Sequence, residues 1–353
     1  MPSETPATGW EGQIFNRPDP PAPIEALATN GTVLVGVGSS GGAGAVWLLR
    51  TGADWERMTS VPSAVENEAL TLIDVAAVES GFVAVGLVGA PNSEAFASVI
   101  WSSADGRSWR EAERVDGMLL KGVAAGGPGA LAVGGRGSGV TYPEGVAVLT
   151  SEDGATWSEL GGVDAFGAAA FEDMVQTDGG LVAVGQSRAA GEQLSAAAWT
   201  SADGTTWEQA PANPLFDSSG MAAVTAAGPG LVAVGVTAGP GGSHGAIWTS
   251  ADGVTWERPP FDDASATVNG VAGADAHIVV AGSVAGADNL IPAVWTSPDG
   301  LTWTAEPEVQ EHGPGVLFDV IAFGGRVIAV GAVVGATPDE TRPLVLTGPL
   351  PAE

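Results

Sequence analysis

Short apolar runs with alternating character recur along the whole chain, and none continues at the period of a helix. The most regular run ends in Val-Gly or Ala-Gly. Its seven copies are Val33–Gly36, Val83–Gly86, Leu131–Gly134, Val182–Gly185, Val232–Gly235, Val279–Gly282 and Ile328–Gly331. The closing glycines are 50, 48, 51, 50, 47 and 49 residues apart. A repeat of this length suits one four-stranded sheet, so the pattern predicts an all-β chain of seven such sheets.

A second repeat follows five of the seven apolar strands and combines a strand end, an Asp-Gly pair and a tryptophan. The clearest copy is Ala198–Trp207; it recurs at 247–256 and 294–303, and more loosely at 100–109 and 149–157. Asp-Gly between two strand-like runs is typical of a β-hairpin, because glycine accepts positive φ and aspartate can bond the turn amides. We therefore expect a structural role for the turn aspartates Asp105, Asp153, Asp203, Asp252 and Asp299. The first unit has lost this order at 51–55, so its turn should differ.

The pattern Ser-x-Asp-Gly-x-Thr-Trp resembles the Asp-box, or BNR, repeat of sialidase-like β-propellers, in a form that lacks the usual residue between Asp and Gly. The resemblance covers nearly the whole chain. It implies that each sheet is one blade, with the box at the turn between the third and fourth strands, facing away from any active site. Together with the repeat count, it predicts a seven-bladed β-propeller of four-stranded antiparallel blades.

Tryptophan usage predicts how the ring closes. Eleven of the twelve tryptophans fall on third strands or open fourth strands, and the remaining one is Trp10. The seventh unit ends after Leu344–Thr347 without a fourth strand of its own. We expect Gly9–Phe15 to pair with Leu344–Thr347 and complete the last blade, which removes two open sheet edges. Residues 1–8 then form a flexible Pro/Ser/Thr-rich segment, and residues 9–353 form a single propeller domain.

The charge balance excludes several classes of partner. The chain has 41 acidic and 12 basic residues, a net charge of −29. Nucleic acid and anionic lipid would be repelled. No apolar run is long enough for a membrane span, and the absence of cysteine excludes disulfides and thiolate metal sites. We expect a monomer. The Pro/Ser/Thr-rich start is typical of a linker behind a removed leader, which favours a secreted or extracytoplasmic protein.

The innermost strands of a propeller line its central channel. Aligning them on their glycines places four acidic residues at one level, namely Glu25, Asp74, Asp173 and Asp319. A ring of carboxylates at a channel mouth can hold Ca²⁺ or Mg²⁺ through oxygen ligands and water. Alternatively, these carboxylates bond backbone amides of neighbouring blades or stay solvated in the channel. The sequence leaves both alternatives open.

The connections from fourth to first strands and from second to third strands are long and variable, and they emerge on one face of the ring. Binding residues are favoured there, because variable loops on a rigid scaffold commonly carry function. The same interblade connection carries Phe166, Phe216 and Phe261, with Asp217 and Asp263 close by, and Tyr142 lies in another long loop. An aromatic ring beside a carboxylate suits a glycan; alternatively, each phenylalanine is a plug over the core.

The sialidase-like resemblance also implies a possible glycosidase with an arginine cluster, a tyrosine nucleophile and six blades. Here the only tyrosine is Tyr142, the eleven arginines are scattered and seven units are counted. The three histidines are isolated in sequence. We therefore predict a non-catalytic binding or scaffold propeller that takes a glycan, cation or protein at the long-loop face and channel mouth. The alternatives are a sialidase-like glycoside hydrolase that uses the channel-mouth carboxylates, and an architectural module of a larger assembly.

Overall fold

The structure is a computed structural model that describes residues 9–14, 23–40, 42–58, 69–89, 96–136, 145–161, 166–188, 194–239, 242–261, 263, 265–333 and 341–350. Within these residues, 28 strands form seven four-stranded antiparallel sheets. The sheets are the blades of a ring, and the fold is a seven-bladed β-propeller, as the repeats predict. The seven units counted from the glycine spacing correspond to the seven blades.

The first strand in the chain, β1 (Glu11–Ile14), belongs to the last blade. Blade one contains β2 (Ile24–Thr29), β3 (Val33–Ser40), β4 (Ala43–Arg50) and β5 (Glu56–Arg57). Blade two contains β6 (Leu70–Val78), β7 (Gly81–Val88), β8 (Ala97–Ser103) and β9 (Arg110–Asp116). Blade three contains β10 (Met118–Gly126), β11 (Gly129–Arg136), β12 (Gly145–Ser151) and β13 (Ser158–Glu159). Blade four contains β14 (Ala168–Thr177), β15 (Gly180–Arg188), β16 (Ser195–Ser201) and β17 (Glu208–Gln209).

Blade five contains β18 (Ser219–Thr225), β19 (Leu231–Gly239), β20 (Gly242–Ser250) and β21 (Trp256–Glu257). Blade six contains β22 (Ala266–Ala274), β23 (His277–Ala285), β24 (Leu290–Ser297) and β25 (Thr304–Ala305). Blade seven contains β26 (Val316–Phe323), β27 (Arg326–Val333) and β28 (Arg342–Pro349) together with β1. Among the described residues, 3-10 helices lie between blades at Pro214–Phe216 and at Pro307–His312. Within the described residues, no helix has the length and apolarity needed to cross a membrane.

The N-terminal strand closes the ring, which confirms the tryptophan argument. In the antiparallel pair of β1 and β28, Glu11 lies opposite Thr347 and Ile14 opposite Leu344. Trp10 packs against the core cluster that blades six and seven share. Its backbone N–H donates to a carboxylate oxygen of Glu308 at 3.0 Å, so the 3-10 helix before blade seven also holds this segment. The last blade is thus complete only with residues from both ends of the chain.

A bulge in each first strand lies opposite a glycine of the second strand. In blade four the register shifts between Phe171 and Asp173, opposite Gly185. A Cβ on Gly185 would overlap the carbonyl oxygen of Ala170, so the backbone approach excludes any side chain there. The same overlap recurs around the ring at Gly38, Gly86, Gly134, Gly235, Gly282 and Gly331. This close approach is the physical reason for the Val-Gly and Ala-Gly repeat.

Each core cluster is shared by two neighbouring blades. Trp199 and Trp207 of blade four, which are 0% and 8% exposed, pack in one cluster with Val133 and Val148 of blade three. The Phe171 ring lies between them, 4.4 Å from the Trp199 centroid and 5.3 Å from that of Trp207. The apolar core therefore lies between the blades, and the functional groups must lie in the channel or on the two faces.

Candidate functional site

The Asp-Gly turns are held by their own side chains. Oδ1 of Asp203 accepts hydrogen bonds from the backbone N–H groups of Thr205 and Thr206, both at 2.8 Å. Oγ of Ser201 accepts the N–H of Gly204 at 2.8 Å, and Gly204 has a φ of 76° that favours glycine. The backbone hydrogen bonds stabilise the ionised carboxylate and lower the pKa of Asp203 to about 2.

The other four Asp-Gly turns repeat this geometry at Asp105, Asp153, Asp252 and Asp299. Backbone hydrogen bonds lower the pKa of all four carboxylates. The turn of blade one differs: the N–H of Ala53 donates to the carbonyl of Arg50 at 3.0 Å, and Gly52 has a φ of 73°. Carboxylates that hold their own turns have a structural role, so function must be sought elsewhere.

Three aspartates on the innermost strands connect neighbouring blades through hydrogen bonds. In each, Oδ1 accepts the N–H of the following residue, while Oδ2 accepts an N–H of the next blade. Across the blades, the backbone N–H of Val123 donates to Asp74 at 2.7 Å, that of Val224 to Asp173 at 2.8 Å and that of Leu27 to Asp319 at 2.8 Å. This geometry fits the alternative in which the carboxylates bond neighbouring blades. Among the described residues, no group of three or more histidine, aspartate or glutamate side chains is arranged to hold a metal ion.

Burial changes the protonation of these three aspartates. Desolvation raises the pKa of Asp173 to about 7, although the N–H groups of Val224 and Met174 act in the opposite direction. Desolvation likewise raises the pKa of Asp319 to about 6. The pKa of Asp74 is well above its usual range, because of desolvation first and the nearby negative charge of Asp173 second. The inner strands thus carry acids that bind protons near neutral pH.

The predicted position of Glu25 in this ring is wrong. Strand register places Ala26 opposite Val37, as it places Asp74 opposite Val85, whereas Glu25 is the extra residue of the bulge. The sequence alignment used Gly36, but the glycine whose Cβ would overlap a carbonyl oxygen is Gly38. Glu25 is mostly surrounded by protein, and desolvation raises its pKa.

The bulge positions include two charged residues that the sequence reasoning missed. Lys121, the only lysine of the chain, lies 3.8 Å from a carboxylate oxygen of Glu172 on the next blade. Desolvation raises the pKa of Glu172, and the charge of Lys121 opposes that shift. The bulges lie near the start of each first strand, so this ion pair lies towards the long-loop end of the channel. Their sequence signal was their position: Lys121 and Glu172 each lie one residue before the residue that was aligned at the channel mouth.

The loop phenylalanines cover the gaps between blades. The Phe166 ring meets Trp199 edge-on with centroids 6.1 Å apart, and Phe261 meets Trp295 edge-on at 5.3 Å. Phe216 is 5% exposed and packs in the cluster shared by blades four and five. These contacts fit the alternative in which each phenylalanine is a plug over the core. All three also border clefts, where Phe166 and Phe261 stay partly exposed. Tyr142 lies outside the described residues.

Two clefts open on the long-loop face over consecutive blades. The blade-four cleft has a volume of about 510 Å³ and its polar and aromatic lining includes Phe166, Ser187, Arg188, Gln209, Asn213 and Asp217. The blade-five cleft has a volume of about 520 Å³ and its corresponding lining includes Thr237, His244, Arg258, Phe261 and Asp263. Each cleft therefore combines an aromatic edge, an arginine, a hydroxyl group and one described carboxylate.

The two clefts occupy equivalent places in their blades. In blade four, Nε2 of Gln209 on the fourth strand donates to Oγ of Ser187 on the second strand at 3.2 Å. In blade five, Nη1 of Arg258 donates to Oγ1 of Thr237 at the same distance, 3.2 Å. Ser187 and Thr237 both lie two residues after the glycine opposite the bulge, so the contacts are related by one step around the ring.

Blade three has a different pair at the same two positions. There Arg136, two residues after Gly134, forms an ion pair with Glu159 on the fourth strand. The long side chains of this pair meet where short hydroxyl-bearing residues leave open clefts in blades four and five. The ion pair of blade three therefore spans the two strand positions that line the clefts of blades four and five.

A third cavity lies on the opposite face, between the turns of blades four and five. It has a volume of about 410 Å³ and is bordered by Ser201, Asp203, Thr206, Glu208 and Asp252. Both aspartates in this cavity already hold their own turns. The long-loop clefts differ from this cavity because their lining combines an arginine and a carboxylate with an aromatic side chain.

No protein-family model and no curated protein matches this sequence. Among solved structures, the phage phi92 endosialidase is similar with a TM-score of 0.58 and 9% identity, covering 98% of this chain and 70% of that chain. A Trypanosoma rangeli sialidase in complex with sialic acid has a TM-score of 0.51 and 13% identity, covering 96% of this chain and 59% of its own. A Lactobacillus plantarum protein has a TM-score of 0.50 at 13% identity, with 80% and 84% covered. At these identities the likeness supports the fold alone, which is a β-propeller.

Proposed function

We propose that the protein is a non-catalytic binding propeller that holds a glycan in the clefts of its long-loop face. The observation that carries this proposal is the equivalent pair of clefts over blades four and five. Sugars present hydroxyl groups and an apolar ring face. Amide, arginine and carboxylate groups beside an exposed aromatic edge can satisfy both. We further propose a location outside the cytoplasm, which cell fractionation would test.

A binding role also fits the carboxylate count in the clefts. Glycoside hydrolysis by the common mechanisms uses two carboxyl groups on either side of the scissile bond. The described lining of the blade-four cleft contributes Asp217, and that of the blade-five cleft contributes Asp263. Asp263 also accepts hydrogen bonds from the backbone and hydroxyl of Ser265, which orient it within its own loop. One carboxylate in the described lining of each cleft suits recognition of hydroxyl groups.

The test is calorimetric titration of the protein with a panel of neutral oligosaccharides. Asp217→Ala and Arg258→Ala should each weaken binding at least fivefold, because each removes a charged hydrogen-bonding group from one cleft. Asp178→Ala is the matched control, since Asp178 is exposed in a turn on the opposite face. Binding that resists both cleft substitutions, or no binding across the panel, would contradict the proposal.

The second candidate is a glycoside hydrolase that uses the channel carboxylates. The observation that favours it is the pKa of about 7 at Asp173, because a general acid must be protonated near neutral pH. Its geometry favours a structural role, since both carboxylate oxygens of Asp173 accept backbone hydrogen bonds. A screen of fluorogenic glycosides distinguishes the candidates. Turnover that Asp173→Asn abolishes, in a variant that stays folded at the assay temperature, would replace the binding proposal with this one.

A further inference from the structure

We infer that the two clefts hold successive segments of one long, neutral polysaccharide chain that runs along the rim from blade four to blade five. The inference rests on the proposed function and adds the size, charge and path of the ligand. It starts from the equivalence of the cleft contacts, Gln209 with Ser187 and Arg258 with Thr237.

Ring geometry relates the two clefts by one blade-to-blade step. A ligand made of repeating units meets a similar set of groups after each step, whereas a compact ligand uses one cleft at a time. Packed sheets lie about 10 Å apart and blades diverge away from the axis, so a chain of several units is needed to span both clefts. Both clefts are partly open to solvent, as a chain that continues beyond them requires.

Charge selects against acidic polymers. The protein carries a net charge of −29, so a polyanion would be repelled at long range. Asp217 lines the same cleft as Arg188, and Asp263 lines the same cleft as Arg258, so neither cleft is a simple cationic site. Hydroxyl, amide and oppositely charged groups in one cleft instead match the uncharged hydroxyl groups of a neutral sugar chain.

Blade three supplies the design for a test. Its Arg136–Glu159 ion pair occupies the positions of Ser187 and Gln209 in blade four. The double variant Ser187→Arg with Gln209→Glu should therefore fill the blade-four cleft with a pair that the fold already accommodates. Thr237→Arg with Arg258→Glu should fill the blade-five cleft in the same way. Leu301→Ser, on the opposite face where Leu301 is 49% exposed, is the control.

The experiment compares a disaccharide with a decasaccharide of the same neutral sugar by calorimetry. A chain that spans both clefts should bind at least tenfold more tightly than the disaccharide, because the second contact becomes intramolecular. The disaccharide should bind at two sites and the decasaccharide at one per protein. Filling either cleft should reduce decasaccharide affinity to the disaccharide level and leave one disaccharide site, with an unchanged melting temperature.

The outcomes test separately whether one chain spans both clefts and whether the protein binds a glycan at all. Equal affinity for short and long sugars, at two independent sites, would contradict the spanning chain while leaving glycan binding intact. Tight decasaccharide binding that survives the filling of one cleft would also contradict it. Absence of binding by both sugars in every neutral series would contradict the proposed function itself. Tighter binding of an acidic decasaccharide than of its neutral counterpart would contradict the assigned charge.

Discussion

Replacing Asp173 with asparagine tests how the inner strands hold the ring together. Oδ2 of Asp173 accepts the N–H of Val224 on the next blade, and desolvation raises the pKa of this carboxyl from 3.8 to about 7. A raised pKa means that the folded protein binds the proton more tightly than the unfolded chain. The contribution of Asp173 to stability is therefore fully present below pH 4 and is lost as the pH rises through 7.

The size of the effect follows from the shift. Between pH 5 and pH 8, the folded and unfolded states differ in the protonation of Asp173 over about two pH units. This difference corresponds to about 3 kcal/mol in the free energy of unfolding. Because the side chain keeps partial access to the channel, we expect about half of this value, close to 1.5 kcal/mol. Asparagine does not ionise, but its amide group cannot accept both backbone hydrogen bonds, which adds a cost of about 1–2 kcal/mol at every pH.

Urea denaturation of the wild type and the Asp173→Asn variant at pH 5, 6, 7 and 8 measures this dependence. The wild type loses about 1.5 kcal/mol of stability through Asp173 between pH 5 and pH 8, and the variant does not. The difference in unfolding free energy between wild type and variant should therefore fall by about 1.5 kcal/mol over this range. The control is Asp203→Asn, whose carboxyl has a pKa lowered to about 2, so its effect should stay constant over this range. A pH-independent effect of Asp173→Asn would refute the desolvation argument.

Three further predictions concern the scaffold. Trp207→Ala should lower the free energy of unfolding by about 3–5 kcal/mol, because the side chain is 8% exposed and packs on Phe171; a denaturation value below about 1 kcal/mol would contradict a core role. Gly38→Ala should cost at least about 2 kcal/mol of stability, because its Cβ would overlap a backbone carbonyl. Gly36→Ala should cost less, because the nearest neighbour of its Cβ would be the side chain of Ile24. Equal melting temperatures of the two variants would contradict the assigned register. Removal of residues 1–14 deletes β1 and should leave blade seven open, giving faster proteolysis near β28 and aggregation in size-exclusion chromatography; a truncated protein that stays monomeric with an unchanged melting temperature would contradict the closure.

The architecture was predictable because its causes are local and repeated. The Asp-Gly pair needs glycine at positive φ and a short carboxylate, and the tryptophan that follows needs a core, so each unit carries its own signal. The closure was predictable from Trp10, because one tryptophan remained after eleven had been assigned. These signals depend on the chain alone and do not require knowledge of which blades touch.

The channel and the clefts depend on contacts between distant residues, and there the sequence was less informative. Glu25 is the bulge residue directly before the ring position, and the sequence alignment took Gly36 where the register uses Gly38. The pairing of Gln209 with Ser187 crosses a third strand, so it becomes apparent only when strand register is known. No local pattern distinguishes these polar residues from ordinary solvated ones.

The most direct measurement for the central claim is a crystal structure of the protein soaked with a neutral decasaccharide. The account predicts continuous sugar density along the long-loop rim, with one unit beside Gln209 and Asp217 and a later unit beside Arg258 and Asp263. Sugar density in the central channel next to Asp173, with both clefts occupied by solvent, would contradict it.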